Sequence, residues 1–359
     1  MNVPGILRQK ETTSQQWLDT ALYNLGACLH ILIGTSGWWM VEYMKRYFNV
    51  PIEKVVAVVS SITDVVELVK NGLPSDYIVR VARDGLRGDF GYAMRAYQIF
   101  RDKVLERVGS LQPVELVTMT AFGGGGTVKF GLLLARDILR LWDCYLVMIV
   151  KLAASSFSSP TQVRNSVRVL ESMADLAKEY QGRFAAIVIS DAARLNGMGA
   201  DEIAGDSYAT VHGFLAKSGI TPANLGRLLT DKIADEPNNQ FESLSAFVRF
   251  PGSIPADNLD SAMRTIEGRL NDLQPALELT LSNIDHRISA PASAYLLIVH
   301  PPSAFQDEEE VKDAKTAMGR ITIGTLERLT GQRGHYCHVE TMSAGATYES
   351  VLVIRPIIL

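Results

Sequence analysis

The stretch Ala121-Phe122-Gly123-Gly124-Gly125-Gly126-Thr127 joins an apolar segment, residues 114–119, to an amphipathic segment, residues 127–141. The first segment has the composition of a buried strand, and the second has helical periodicity. Glycines at such a junction let backbone N–H groups approach an anion closely, and the positive end of the helix dipole faces the same point. The pattern therefore predicts a phosphate site, with a plain tight turn as the alternative.

Apolar segments alternate with amphipathic segments on both sides of this loop. Strands are predicted at residues 29–33, 54–59, 77–81, 114–119, 145–152 and 184–189. Helices are predicted at residues 38–48, 64–70, 90–108, 127–141 and 160–180. Continuous apolar strands that alternate with helices are typical of a doubly wound, mostly parallel sheet. Such sheets bind ligands beyond the carboxyl ends of their strands, which is where the glycine loop falls.

The remainder of the chain completes a three-part organisation. Residues 1–27 form an N-terminal extension with an amphipathic helix, and residues 28–235 form the α/β domain, which ends in a helical region. Residues 236–359 alternate again as a smaller unit. The predicted fold class is therefore α/β: a doubly wound, parallel-sheet nucleotide-binding domain joined by a long central helix to a smaller α+β domain. The acidic run 307–310 is interpreted as a solvated helix start.

Composition excludes several classes of protein. The chain has 359 residues and a net charge of −4, so charge gives no case for nucleic acid or for an anionic membrane as a partner. Cys28, Cys144 and Cys337 have no metal-ligand spacing and are interpreted as buried thiols in a reducing compartment. No apolar run could span a bilayer, and no signal-peptide pattern is present. We therefore expect a cytoplasmic protein without direct membrane binding.

Two separated motifs resemble the tubulin/FtsZ superfamily. Gly124-Gly125-Gly126-Thr127 matches the family's phosphate loop, and residues 252–260 follow its catalytic pattern Gly-x-x-Asn-x-Asp-x-x-Asp/Glu. The preceding residues 245–252 are similar to the tubulin stretch that ends in Leu-Arg-Phe-Pro-Gly. Residues 85–91 resemble the family's third phosphate loop, and residues 151–164 resemble its ribose-side loop. The resemblance covers roughly residues 28–270.

This resemblance implies a cytoskeletal GTPase that forms head-to-tail filaments, either with itself or with a related tubulin-like subunit. GTP or GDP, with Mg²⁺, would lie at one end of a subunit, and Asp257 and Asp260 of the next subunit would act as the catalytic acids. Two acids at this spacing are also common at an ordinary helix start. The implied nucleotide-binding residues are Gly34, Gly37, Asp64, Gly88, Gly123, Gly124, Gly125, Gly126, Thr127, Asp206 and Asn224.

Three of these residues have particular roles in the resemblance. Asp64 is a candidate for a magnesium-linked water, although most residues in such a position cap a helix. Asp206 falls where tubulin has a guanine-reading Asn, and Asn224 lies beside the positions that stack on and read the base. The sequence therefore leaves base recognition open.

Departures from the family pattern support a second hypothesis. Trp38, Val128, Phe130, Pro222 and Pro255 replace residues that the family uses around the nucleotide or the catalytic loop. An indole at position 38 either packs on the sheet or stacks on a base. Under this second hypothesis, the chain is a tubulin-like structural protein that polymerises or binds partners without nucleotide. A third hypothesis is an unrelated doubly wound enzyme that binds another phosphorylated ligand at the glycine loop.

Overall fold

The computed structural model describes residues 27–34, 54–153, 158–190, 221–230, 244–249, 263–264, 288–300, 303–331, 333–334, 336–343 and 349–358. The strands are β1 Cys28–Ile33, β2 Val55–Val59, β3 Ile78–Arg80, β4 Leu116–Phe122, β5 Tyr145–Leu152, β6 Phe184–Ser190, β7 Leu244–Arg249, β8 Ile288–His300, β9 Tyr336–Ser343 and β10 Glu349–Ile358. The helices are α1 Ile62–Lys70, α2 Phe90–Gly109, α3 Thr127–Leu141, α4 Pro160–Glu179, α5 Pro222–Thr230 and α6 Glu308–Thr330.

The strands form one sheet with the order β3-β2-β1-β4-β5-β6-β7-β10-β8-β9. Every pairing from β3 to β7 is parallel, whereas β10 runs antiparallel to both β7 and β8. The chain moves outward from β1 to β3 and then returns to place β4 on the other side of β1. The carboxyl ends of β1 and β4 therefore form a topological switch point, which is where open α/β sheets bind ligands.

The core of the parallel half explains why this topology suits the sequence. Strands β1 and β2 are buried at every residue, and β4 is buried at all residues but its last. Such strands need cover on both faces, which the crossover helices supply. The side chains of Val128 and Phe130 on α3 are 1% and 0% exposed, and the Phe130 ring meets Tyr97 of α2 edge-on at 4.9 Å between centroids. Phe130 is thus a core residue that links two helices.

Local capping sets the helix starts. Ser159 forms a capping box with Gln162 ahead of α4, and the Asp89 carboxylate accepts from two backbone amides at the start of α2. Asp307 accepts from the amides of Glu309 and Glu310. The acidic run is therefore an exposed helix start, as the sequence predicts.

The described strands and helices confirm the α/β class and most element positions, with three corrections. Strand β4 extends through Phe122, so Ala121 and Phe122 belong to the strand and not to the loop. Strand β8 begins at Ile288, whereas the apolar pattern of the smaller unit predicts a strand over residues 295–300. Residues 244–249 form strand β7 between β6 and β10, which the sequence analysis did not predict; this strand overlaps the stretch 245–252 used above for the family resemblance. Of the predicted central helical region, the described residues include 222–230. The amphipathic helix of the N-terminal extension, predicted over residues 12–26, and the helix predicted at 38–48 lie outside the described residues.

Candidate phosphate-binding site

The glycine loop connects β4 to α3 at the switch point. The amide of Gly123 donates to the Lys151 carbonyl at 2.7 Å, and the amide of Gly125 donates to the Phe122 carbonyl at 3.1 Å. The amides of Gly124, Gly126, Thr127 and Val128 have no hydrogen-bond partner among the residues that the structure describes. Helix α3 also begins without a side-chain cap. Buried amides are rarely left unpaired, so this cluster is suited to an anion.

Close packing, and not unusual backbone angles, explains the glycines of the loop. None of residues 123–126 has a positive φ. A Cβ on Gly123 would lie 2.9 Å from the Leu152 side chain, and one on Gly124 would lie 2.8 Å from the Phe122 ring. A Cβ on Gly126 would lie 2.9 Å from Leu86 Cβ. Only at Gly125 would a Cβ make ordinary contacts, the nearest at 3.4 Å.

The first two strands contribute through Thr127, the first residue of α3. Its hydroxyl forms a 3.0 Å hydrogen bond with the hydroxyl of Ser60, which follows β2. Gly34 follows β1 with φ +74, and a Cβ there would lie 3.4 Å from Thr127 Cβ. Thr127 therefore fixes the ends of β1 and β2 to the start of the glycine loop helix.

Residues 84–89 form a second loop that packs on the first. Gly85, Arg87 and Gly88 have φ values of 82°, 48° and 70°. The left-handed conformation costs little at glycine but carries strain at Arg87. The amide of Gly85 donates to the Ser60 carbonyl at 2.7 Å, which anchors one end of this loop. Its other end lies so close to Gly126 that a Cβ there would be 3.2 Å from Gly88 N.

Helix α4 packs against both loops, and one of its buried side chains, Asn165, binds them. Asn165 Nδ2 donates to the Gly88 carbonyl at 2.8 Å and to the Gly124 carbonyl at 3.2 Å. Ser166 accepts from the Ala153 amide at 2.9 Å and so holds the chain beyond β5. Gln162 Cβ lies 2.9 Å from the place that a Cβ of Gly124 would occupy. The first two turns of this helix thus form a base for the site.

Positive charge lies near the loop. Lys151 Nζ is 5.1 Å from the centroid of the Phe122 ring, a cation–π contact at the end of β5. Lys129, in the first turn of α3, is partly buried, and this burial lowers the pKa of its amine. Arg136 lowers the same pKa further, while Asp175 opposes the shift. Among the described residues, no group of three or more His, Cys, Asp or Glu side chains is placed to hold a metal ion.

The thiols lie apart from this chemistry. Cys28 and Cys144 are buried, and burial raises the pKa of Cys144 to about 11 and that of Cys28 well above its usual range. Burial likewise raises the pKa of Cys337 to about 12. Each thiol is thereby held in its unreactive, protonated form at neutral pH.

The structure brings together most of the predicted phosphate residues that it describes. Gly34, Gly88 and the run from Gly123 to Thr127 meet within direct packing distance. Asp64 lies in the first turn of α1, where its amide donates to Ser61 Oγ at 3.1 Å. Ser61, and not Asp64, is therefore the N-cap. Gly37, Asp206, Asp257 and Asp260, together with Trp38 and Pro255, lie outside the described residues.

Asn224 is a correction, because the structure places it at the opposite edge of the sheet. The amide of its neighbour Ala223 donates to the Glu115 carboxylate at 3.0 Å, and Glu115 directly precedes β4. Gly226 on the same helix packs against Tyr145, the first residue of β5. The glycine loop is at the other end of β4, which is seven residues long. Seven residues of strand span about 20 Å, so Asn224 is not part of the phosphate site.

Three of the family departures have structural explanations. Val128 and Phe130 are buried in the core, so they leave the loop backbone open to a ligand. Pro222 opens α5 at the amino edge of the sheet, together with Asn224, and therefore does not obstruct the glycine loop. None of the three argues against a phosphate at this loop.

Sequence reasoning missed Ser60, Asn165 and Ser166. A signal for two of them was present, because α4 is amphipathic and Asn165 and Ser166 lie on its buried side with Val169, Leu170 and Met173. A polar residue on the apolar stripe of a helix needs a buried partner. The partners are the backbones of distant loops, which the sequence does not identify.

A prediction follows for the hydroxyl pair. Thr127 and Ser60 are each 8% exposed, so Thr127→Val leaves the Ser60 hydroxyl buried without this partner. We expect the free energy of unfolding to fall by about 1–3 kcal/mol, measured by urea denaturation. Thr127→Ser keeps the hydroxyl and is the control. In the Ser60→Ala background, Thr127→Val should cost distinctly less, and equal costs in both backgrounds would contradict the pairing.

Comparisons with known proteins found similarity to solved structures, but not to family models or curated sequences. No family model matches the sequence, and no curated protein matches it. CetZ from Methanosaeta thermophila strain DSM 6194 is similar in structure with a TM-score of 0.62 at 15% identity, covering 92% of this chain and 87% of that chain. CetZ2 from Haloferax volcanii, in a GTPγS-bound protofilament, has a TM-score of 0.57 at 15% identity, covering 91% and 92%.

A third similar structure is TubZ from Clostridium botulinum phage c-st, with a TM-score of 0.57 at 10% identity, covering 93% of this chain and 92% of that chain. These proteins belong to the superfamily that the glycine loop resembles, and the similarity extends over most of each chain. At these identities the similarity establishes the fold. The chain therefore has the fold of the tubulin/FtsZ superfamily.

Proposed function

We propose that this chain binds a guanine nucleotide at the glycine loop and assembles head to tail into filaments. The observation that carries the proposal is the cluster of four unpartnered amides at the start of α3, among the described residues, at the switch point of the sheet. Such a cluster holds a phosphate through backbone donors and the helix dipole. The similar CetZ2 structure is itself a GTPγS-bound protofilament, which supports guanine over another base.

The cofactor proposal includes Mg²⁺. Magnesium in nucleotide sites is held largely by phosphate oxygens and water, with one or two protein ligands. The described residues fit this arrangement, because they offer hydroxyls at Ser60 and Thr127 and a carboxylate at Asp64 without a dedicated acidic cage. Magnesium would then supply charge neutralisation at the phosphates.

The filament proposal rests on the polarity of the subunit. The glycine loop lies at the carboxyl edge of the sheet, whereas α5 ends at the amino edge, where Thr230 donates to the Gly182 carbonyl at 2.7 Å. A contact between two different faces is heterologous, so its repetition gives an open polymer. Acidic residues of the face that meets the glycine loop of the next subunit would then complete its nucleotide site.

The test is equilibrium binding of GTP and GDP to the full chain, with and without Mg²⁺, alongside light scattering for assembly. Tight binding that depends on magnesium, together with GTP-dependent scattering, is the expected result. Assembly without detectable nucleotide binding would instead favour a nucleotide-independent polymer. Binding of adenine nucleotides in preference to guanine nucleotides would contradict the proposed guanine specificity.

The catalytic acids are tested separately. Asp260→Ala and Asp257→Ala are expected to leave filament assembly intact while reducing GTP turnover by about 100-fold or more, because a positioned carboxylate orients the attacking water. Phosphate release and light scattering in the same sample measure both properties. Loss of assembly together with turnover would contradict a purely catalytic role.

The two aspartate variants need a comparison variant in a segment that follows the opposite edge of the sheet. Strand β7, which precedes both aspartates, runs parallel to β6 and ends at the carboxyl edge with Arg249. The chain therefore leaves β7, just before residue 250, at the same edge as the glycine loop. Asp235, by contrast, follows the end of α5 by five residues, and α5 ends at the amino edge. Turnover that is lost in Asp235→Ala and kept in Asp260→Ala would move the acidic role to the segment after α5.

A further inference from the structure

Asn165 is the side chain that connects the two loops of the site. It is 3% exposed, and its Nδ2 donates to the carbonyls of Gly88 and Gly124 at 2.8 and 3.2 Å. A side-chain amide has two N–H donors, and both are used here. Because both partners are carbonyl oxygens, only the nitrogen can face them, which fixes the orientation of the amide.

We propose that Asn165 is a positioning residue that couples the glycine loop to the loop of residues 84–89, so that a ligand bound at one loop also orders the other. The identity of that ligand rests on the proposed function. The coupling itself is a property of the free protein and can be measured without a ligand.

The packing around Asn165 supports this coupling. Gly88 has φ +70, and a Cβ there would lie 3.4 Å from Asn165 Nδ2, so the loop backbone fits directly against the amide. Gly126 packs on Leu86 and Gly88 from the other side. The two loops therefore share a buried contact, and Asn165 supplies its directional hydrogen bonds.

The coupling reaches beyond the site through Asp89. This residue follows Gly88 directly, and its carboxylate accepts from the amides of Gly91 and Tyr92 at the start of α2. A shift of Gly88 therefore displaces the first turn of α2. A ligand at the glycine loop would in this way affect helix α2, through the two hydrogen bonds that Asn165 donates to the loops.

The matched control is Ser166, the next residue of the same helix. It is 4% exposed and also binds a loop amide, but that amide belongs to Ala153 and not to either phosphate loop. Ser166→Ala thus removes a comparable buried hydrogen bond without touching the proposed coupling. Asn165→Ala removes both donors, and Asn165→Asp keeps the side-chain shape while replacing the donors by acceptors.

Hydrogen–deuterium exchange of the full chain, with and without GTP, tests the proposal. In the free protein, Asn165→Ala should speed exchange in peptides that cover residues 84–90 and 122–127 by about tenfold, the effect of losing buried hydrogen bonds of ordinary strength. In the wild type, GTP should protect both peptides. In Asn165→Ala, it should protect 122–127 alone. In the free protein, Ser166→Ala should leave exchange of both peptides as in the wild type.

Two results would overturn the coupling: unchanged exchange at 84–90 in the Asn165 variants, or the same acceleration in Ser166→Ala. If Asn165→Ala does not fold, Asn165→Asp provides the same comparison. Absence of GTP protection in the wild type would count against the proposed nucleotide, while exchange in the free protein would still decide the role of Asn165.

Discussion

Gly126→Ala is expected to disrupt the phosphate site while the fold persists. Its new Cβ would lie 2.9 Å from Leu86 Cβ and 3.2 Å from both Leu86 O and Gly88 N. Two of these neighbours are backbone atoms, so the clash is relieved only if the two loops separate. Overpacking of this kind costs about 1–3 kcal/mol. If that cost falls on the ligand-competent arrangement, GTP binding weakens by roughly 10- to 100-fold.

Gly125→Ala is the control within the same loop. A Cβ there would approach the Phe122 carbonyl at 3.4 Å, which is ordinary contact, and Gly125 has no positive φ. Both variants should be compared by GTP titration and by urea denaturation of the free protein. Equal affinities for Gly126→Ala and the wild type would show that the contact between the loops does not shape the site.

Phe130→Ala is expected to have the largest effect on stability. The side chain is fully buried and packs edge-on against Tyr97, so its removal leaves a cavity between α2 and α3. Large-to-small changes of this type lower the free energy of unfolding by about 3–5 kcal/mol. Chemical denaturation of the free protein measures this loss.

Two comparisons sharpen the result. Ile99→Ala, on the outer side of α2 at 73% exposure, should change stability by less than about 0.5 kcal/mol. Phe130→Leu should fold and bind GTP as the wild type does, because Phe130 faces the core and not the loop. Weaker GTP binding by Phe130→Leu at unchanged stability would place this side chain in the site after all.

The alternation of apolar and amphipathic segments predicted the parallel half of the fold, because strands that are covered on both faces are apolar along their whole length. Continuous apolar runs such as Leu146–Val150 are interpretable without knowledge of their neighbours. Strand β7 was missed because its pairing with β10 joins residues about a hundred positions apart, and short strands of mixed composition are not distinctive. Non-local pairing thus limited the prediction in the second half.

At the candidate site, the sequence predicted the glycine loop but not the side chains that hold this loop in place. Residues 123–127 were predicted from their glycine-rich composition, and Gly34 and Gly88 were predicted through the family resemblance. Asn165 and Ser60 act on backbone groups of distant loops, which leave no trace in spacing. Asn224 was placed wrongly because alignment by order alone does not fix at which end of a strand a helix begins.

The glycine loop and its partner loop meet mainly through main-chain atoms and missing side chains. The contacts at Gly124 and Gly126 require the absence of a Cβ, Gly88 has a positive φ that favours glycine, and the unpartnered donors are peptide amides. Every amino acid except proline supplies such an amide. Substitutions at other positions of these loops therefore leave the amide donors in place. Such a site can persist through long evolutionary divergence after its recognisable sequence motif has been lost. In this chain the likeness to the tubulin/FtsZ fold lies in the path of the backbone more than in the amino-acid sequence.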